Sequence, residues 1–315
     1  MKQSIEKIQE QVKKVIVGKD DVIEKVLMAI LAQGNVLLED VPGVGKTTMA
    51  LAFAKTLGLD SKRVQFTPDT MPSDIIGFSV YDKNSEKLEY KAGAVMTNIL
   101  LADEINRTSS KTQAALLEAM EEKKVTIDGI THTLPEPFIV LATENPAGSA
   151  GTQLLPNSQL DRFLIKITMG YPDLESQVEI LCDRHLDDPL DRVEQVSSAE
   201  ELCSIIQDVK EVEMERSLYE YVARLVQKTR EHLMISLGVS PRGALAVCRM
   251  AKAHAHVNDR DYVVPDDIQH VFLDVCGHRI LLNSKAKLNE YTEARILKEI
   301  LKETEMPVVK TNWKK

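Results

Sequence analysis

The stretch from Val36 to Leu57 constrains the fold more than any other part of the chain. A short apolar run, VLLE (36–39), leads into Asp40-Val-Pro-Gly43-Val-Gly45-Lys46-Thr47. A segment with helical spacing, KTTMALAFAKTL, follows and is closed by Gly58. Strand, glycine loop and helix in this order have the form of a phosphate-binding loop. Glycines let backbone N–H groups curve round an anion, and the helix N-terminus adds the positive end of its dipole. Lys46 brings a point charge to the β- and γ-phosphates, and Thr47 a hydroxyl for Mg2+. The usual pattern opens with Gly where this chain has Asp40, while PGVGKT is intact. The expected ligand-contacting residues of the loop are therefore Asp40, Pro42, Gly43, Val44, Gly45, Lys46, Thr47 and Thr48.

Apolar runs recur at RVQF (63–66), NILLA (98–102), FIVLA (138–142) and FLIKITM (163–169), separated by helical patterns such as TQAALLEAMEEKK. Strands alternating with helices predict a parallel sheet covered on both faces. Two stretches interrupt the alternation. Residues 77–93 hold two strand-like pieces around a polar turn, and 124–134 place Asp128-Gly129 between alternating apolar residues, a hairpin signal. Strand signals end near residue 170, and from about 190 every readable pattern is helical. The expected architecture is an α/β domain over 1–188 followed by a smaller all-helical domain over 189–315.

Charge narrows the function classes. The 315 residues carry 39 Lys+Arg against 48 Asp+Glu, a formal charge of −9. That balance argues against a generic nucleic-acid binder, whose affinity rests on basic side chains at phosphates. Cys182, Cys203, Cys248 and Cys276 lie far apart with no C-x-x-C pair, as reduced thiols do. The charged N-terminus has no apolar core, and no apolar run approaches the roughly 18–20 residues of a membrane span. A cytoplasmic protein without a membrane span is expected.

NILLADE ends a strand in Asp103-Glu104, placing two carboxylates at a carboxyl edge, where open α/β sheets hold ligands. Alone, such a pair reads as a helix cap or a solvated turn. Coupled to the loop, Asp103 becomes the metal-side residue and Glu104 the base that polarises an attacking water. FIVLATENP brings Thr143, Glu144 and Asn145 to the same edge, where the Asn145 amide offers both donor and acceptor to a phosphate or water. Arg162 in QLDRF and Arg242 in SPRGAL are candidates for charge developing on a transferred phosphoryl group. A lone arginine, by contrast, reads as a surface salt bridge. His254 and His256 sit two apart on a helical pattern and point in different directions, so they are expected at a surface or interface. Mg2+ is the only metal expected.

VPGVGKT, LLADEINR, LLEAMEE, ATENP, QLDRF and SPRGAL occur in this order across nearly the whole chain. This series resembles the AAA+ ATPases, and within them the MoxR branch. The resemblance implies ATP and Mg2+ as cofactors, with Lys46 and Thr47 as the Walker A pair and Asp103 and Glu104 as Walker B. Asn145 corresponds to the first sensor, Arg162 to an arginine finger reaching a neighbour's nucleotide, and Arg242 to the second sensor on a C-terminal helical lid. Val17-Gly18-Lys19 matches the segment that borders the adenine, and Arg107 lies near the subunit boundary. The hairpins at 77–93 and 124–134 match the helix-2 insert and the pre-sensor hairpin. Where the family commonly has a Gly-Pro-aromatic pattern before Walker B, this chain reads Ala92-Gly93-Ala94-Val95-Met96.

The activity implied is that of an ATP-hydrolysing ring, a hexamer, that remodels or activates partner proteins in a chaperone-like manner. The implied partner carries a von Willebrand factor A-like domain. Two alternatives compete with it. One is a nucleotide-gated protein-binding module with little turnover. The other is a DNA-remodelling machine, against which the acidic balance speaks. Trp313 falls in a basic C-terminal tail, VVKTNWKK, for which disorder is expected.

Overall fold

The structure is a computed structural model that describes residues 2–40, 43–84, 86–145, 155–183 and 188–307; Trp313 and Pro42 lie outside them. Helices α1 (Lys2–Lys13) and α2 (Asp20–Leu31) lead into β1 (Val36–Glu39) and α3 (Lys46–Leu57). Next come β2 (Ser61–Gln65), α4 (Pro72–Ile76) and a hairpin of β3 (Phe78–Asp82) and β4 (Lys87–Lys91). Then follow β5 (Ile99–Asp103), α5 (Ser110–Glu122) and a second hairpin of β6 (Lys124–Ile127) and β7 (Ile130–Thr133). The α/β part closes with β8 (Ile139–Glu144), α6 (Asn157–Leu160), β9 (Ile165–Ile167) and α7 (Leu174–Asp183). The C-terminal part holds α8 (Ala199–Glu211), α9 (Arg216–Glu231), β10 (Ile235–Leu237) and α10 (Pro241–Val257). It ends with α11 (Pro265–Cys276), β11 (Leu281–Leu282), α12 (Ser284–Leu288) and α13 (Glu293–Glu303).

Strands β2-β5-β8-β1-β9 form one sheet in that order, and every pairing is parallel. Successive side chains face opposite layers, as strand geometry dictates. Leu38, Leu101, Leu141 and Ile165 join a core with α1–α3 and the C-terminal helices. Leu37, Leu100, Val140 and Ala142 join a second core with α5. Both faces are buried, which is why these strands read as unbroken apolar runs rather than as alternation. Parallel pairing also puts the carboxyl ends of β1, β5 and β8 side by side, with Leu38 opposite Thr143 and Gln65 opposite Asp103.

Both predicted hairpins form as antiparallel pairs. Asp128 (φ 49°) and Gly129 (φ 81°) are both left-handed, the requirement of a tight two-residue turn. The Tyr90 and His132 rings stack at 3.9 Å between centroids, tying the two hairpins together.

The C-terminal part departs from the all-helical expectation in one detail. β10 and β11 pair antiparallel, Ile235 opposite Leu282. Strands of three and two residues are too short to show a period in the sequence. His254, expected at a surface or interface, is instead mostly covered within the chain, 14% exposed, with Nδ1 2.6 Å from the fully buried Asp267 carboxylate. Among the described residues no helix is long and apolar enough to cross a membrane, and the four cysteines are free.

Candidate nucleotide-binding site

Gly43 (φ 88°) and Gly45 (φ 98°) both adopt the left-handed backbone that side chains resist. A Cβ at Gly43 would meet nothing within 4 Å, so the loop backbone faces open space. Lys46 opens α3, is buried, and donates from Nζ to the Asp40 carbonyl at 2.8 Å. Burial draws the Lys46 pKa down, against the opposing charges of Asp40, Asp103 and Glu104. One cleft is lined by Gly43, Gly45, Lys46, Thr47, Thr48, Arg63, Gln65, Asp103, Glu104 and Asn145. The loop, the acid pair and the candidate sensor therefore come together at one sheet edge, as the sequence led us to expect.

The acid pair is held from several sides. Asp103 Oδ1 accepts the Thr143 hydroxyl at 2.6 Å, and the Thr143 oxygen in turn accepts the Glu104 N–H at 2.8 Å. Glu104 has φ 56°, a left-handed backbone that costs a non-glycine residue about 1–3 kcal/mol. Its Oε1 accepts from Asn145 Nδ2 at 3.1 Å, and its Oε2 pairs with Arg107 Nη1 at 2.7 Å. Glu144 ends β8 at the same edge, as expected, and pairs there with Lys166 at 2.9 Å, which also holds Glu39 at 3.0 Å. The Thr47 hydroxyl and the Asp103 carboxylate are hard oxygen donors on one cleft, the chemistry that suits Mg2+.

A second cavity adjoins the first across Gly43 and Gly45, with apolar walls from Val15, Ile16, Val44, Met169 and Ile180. Val17 and Lys19, from the segment expected to border a base, line it too. Gly18 does not line it but lets the chain pass α7, because a Cβ there would lie 2.0 Å from Ser176 Oγ. Asp40, expected to contact ligand, has its side chain turned elsewhere. Oδ2 accepts the backbone N–H of both Met169 and Gly170 at 2.7 Å, so the residue fixes the wall of this second cavity. Lys19 Nζ completes that wall with a bond to the Tyr171 carbonyl at 2.8 Å.

Arg162 and Arg242 do not line the chain's own cleft. Both reach Glu121 on α5, Arg162 at 3.4 Å and Arg242 through a direct Nη2 contact with Oε1. Their segments are joined further at Asp161, which accepts Ser240 Oγ at 2.8 Å and Arg279 Nε at 2.8 Å. The two arginines thus form one basic patch away from the glycine loop.

The family model of ATPases associated with various cellular activities (AAA) covers residues 35–165, and the AAA lid domain model covers 227–300. Chaperone MoxR1 of Mycobacterium tuberculosis is 39% identical over 308 residues, spanning 95% of this chain and 81% of that protein. The chain belongs to the MoxR family of AAA ATPases. Uncharacterized protein YeaC of Bacillus subtilis is 48% identical over 299 residues, 95% of this chain and 93% of that one. The crystal structure of a candidate ATPase from Cytophaga hutchinsonii superposes with a TM-score of 0.89 at 38% identity, covering 98% of this chain and 96% of the other.

Several residues of this MoxR-family site were not singled out from sequence. Arg63 and Gln65 enter the cleft from β2, and Gln177 and Ile180 enter the second cavity from α7. The signal for the first pair was their place in RVQF, a run already read as a strand. The α7 residues carried none.

Proposed function

We propose that this MoxR-family chain is an Mg2+-dependent ATPase that acts as a ring of copies, six on the family's pattern, in the cytoplasm. The observation that carries this reading is the meeting of Lys46, Thr47, Asp103, Glu104 and Asn145 on one cleft beside a largely apolar cavity that shares Gly43 and Gly45 with it. Lys46 and the loop backbone hold the triphosphate, while Thr47 and Asp103 hold the cation. Mg2+, when bound, neutralises charge developing on the phosphate oxygens. Glu104 takes the proton of the attacking water on a lone pair that its bonds to Asn145 and Arg107 leave free. The second cavity takes the adenine, with Val17 and Lys19 at its rim.

The same reading gives Arg162 and Arg242 their work in trans. Both lie on Glu121, outside the chain's own cleft, so they serve the nucleotide of the next copy. Hydrolysis then changes how copies and lids sit against one another, and the two stacked hairpins transmit that change to a partner protein. A partner with a von Willebrand factor A-like domain and a chaperone-like outcome fit the family; the similar MoxR1 is itself named a chaperone. A second reading, gated binding with little turnover, is favoured by the engagement of both Glu104 oxygens. Steady-state hydrolysis per subunit, measured as concentration rises, separates them. A motor climbs in specific activity and loses it in Glu104→Gln; a gated module stays at background and is indifferent to that substitution.

A further inference from the structure

One charged residue in the cleft has no part in the chemistry above. Arg63 lies on β2, the edge strand of the sheet, two residues before the carboxyl end that pairs with Asp103. Its guanidinium reaches back into the cleft, with Nη2 2.7 Å from Asp103 Oδ2 and 3.1 Å from Gln65 Oε1. The other oxygen of Asp103 accepts the Thr143 hydroxyl at 2.6 Å. Arg63 is half exposed while Asp103 is only 14% exposed, so a cation from solvent side neutralises an acid set deeper in the sheet edge.

We propose that Arg63 is the resident counter-ion of Asp103 in the nucleotide-free chain and competes with the divalent cation for it. This rests on the reading of Asp103 as the metal-side residue. A guanidinium and a divalent cation on one carboxylate repel each other, so a cation arriving alone must displace Arg63 into solvent. A triphosphate changes the exchange. The released guanidinium then finds phosphate oxygens in the same cleft, for which its planar fork is well suited. Cation and nucleotide therefore load together, and the cation without nucleotide is held weakly.

The test uses Mn2+ as the probe, with free Mn2+ followed by electron paramagnetic resonance on the purified full chain, with and without ATP. Arg63→Ala and Arg63→Gln are expected to bind Mn2+ without nucleotide about fivefold more tightly than wild type, the worth of a partly exposed ion pair. The tightening of Mn2+ by ATP should shrink by a similar factor in both. Arg63→Lys keeps the charge and should stay near wild type. A purely structural arginine would give equal or weaker Mn2+ binding on removal, and that result overturns the proposal. Asp103→Asn separates this failure from failure of the underlying site: it should abolish Mn2+ binding in either background, leaving the free-Mn2+ signal at its protein-free level. If it does not, Asp103 is not the metal-side residue, and the reading of the site falls with the proposal.

Discussion

Replacing Asp40 tests whether this residue builds the site rather than touching the ligand. Its Oδ2 accepts two backbone N–H groups, from Met169 and Gly170, each at 2.7 Å, and the residue is buried. Hydrogen bonds to a charged group are worth about 1.5–3 kcal/mol each, so the pair contributes roughly 3–6 kcal/mol. Asp40→Ala leaves both N–H groups without that acceptor but also relieves the burial of a carboxylate, for a net loss of about 2–4 kcal/mol. For a chain of this length the melting temperature should fall by about 4–8 °C. Asp40→Asn keeps an acceptor without the charge and should lose about half as much. Asp40→Gly, which restores the residue usual at the head of such loops, should be as costly as alanine. Fluorescent-nucleotide titration adds a second readout. Met169 and Tyr171 wall the second cavity and Asp40 supports the charge on Lys46, so ADP and ATP should both weaken, by about tenfold. Asp40→Ala with the melting temperature and ADP affinity of wild type would refute the reasoning.

Other expectations follow from the same contacts. Glu104→Gln should retain ATP binding, since the loop is untouched, and reduce single-turnover hydrolysis by roughly 10²–10⁴-fold. Arg279→Met removes bonds to the Asp161 carboxylate at 2.8 Å and the Leu164 carbonyl at 3.1 Å, leaving Asp161 without its buried partner. It should cost about 3–5 kcal/mol in chemical denaturation. Burial, and then the neighbouring Arg279, hold His278 well below its ordinary pKa of 6.5. Below about pH 6.5 the unfolded chain therefore takes a proton that the folded chain refuses, and stability falls by up to about 1.4 kcal/mol per pH unit until the depressed folded value is reached. Above pH 6.5 both states are neutral at this residue and it adds no slope. Urea melts at about pH 5.5 and 7.5 should show His278→Asn flattening that difference.

The sequence was most legible where chemistry and fold coincide. The glycine loop, Asp103-Glu104 and Asn145 each end a buried parallel strand, so apolar runs located them and parallel pairing brought them together. Asp128-Gly129 announced its hairpin because only a few residue types tolerate two left-handed positions in succession. What stayed hidden depends on distant partners. The Asp40 carboxylate meets N–H groups about 130 residues away, and the Arg162 and Arg242 heads meet on Glu121 of a different element. No local pattern encodes either meeting. Arg63 stood in RVQF, which was read only as a strand, and no local pattern marks that its side chain turns inward to Asp103.

The central claim is that each working site is divided between two copies, the acids from one and the arginines from the next. Mixing two inactive variants tests it directly. Glu104→Gln has sound arginines and a dead acid, while the double variant Arg162→Ala, Arg242→Ala has a sound acid pair and no donors. Each should be near background alone. Mixed in equal amounts under assembling conditions, random placement makes about one interface in four whole again, and hydrolysis should recover to that order. Hydrolysis that stays at the sum of the two separate backgrounds, with mixed assemblies shown to form, would contradict the divided site.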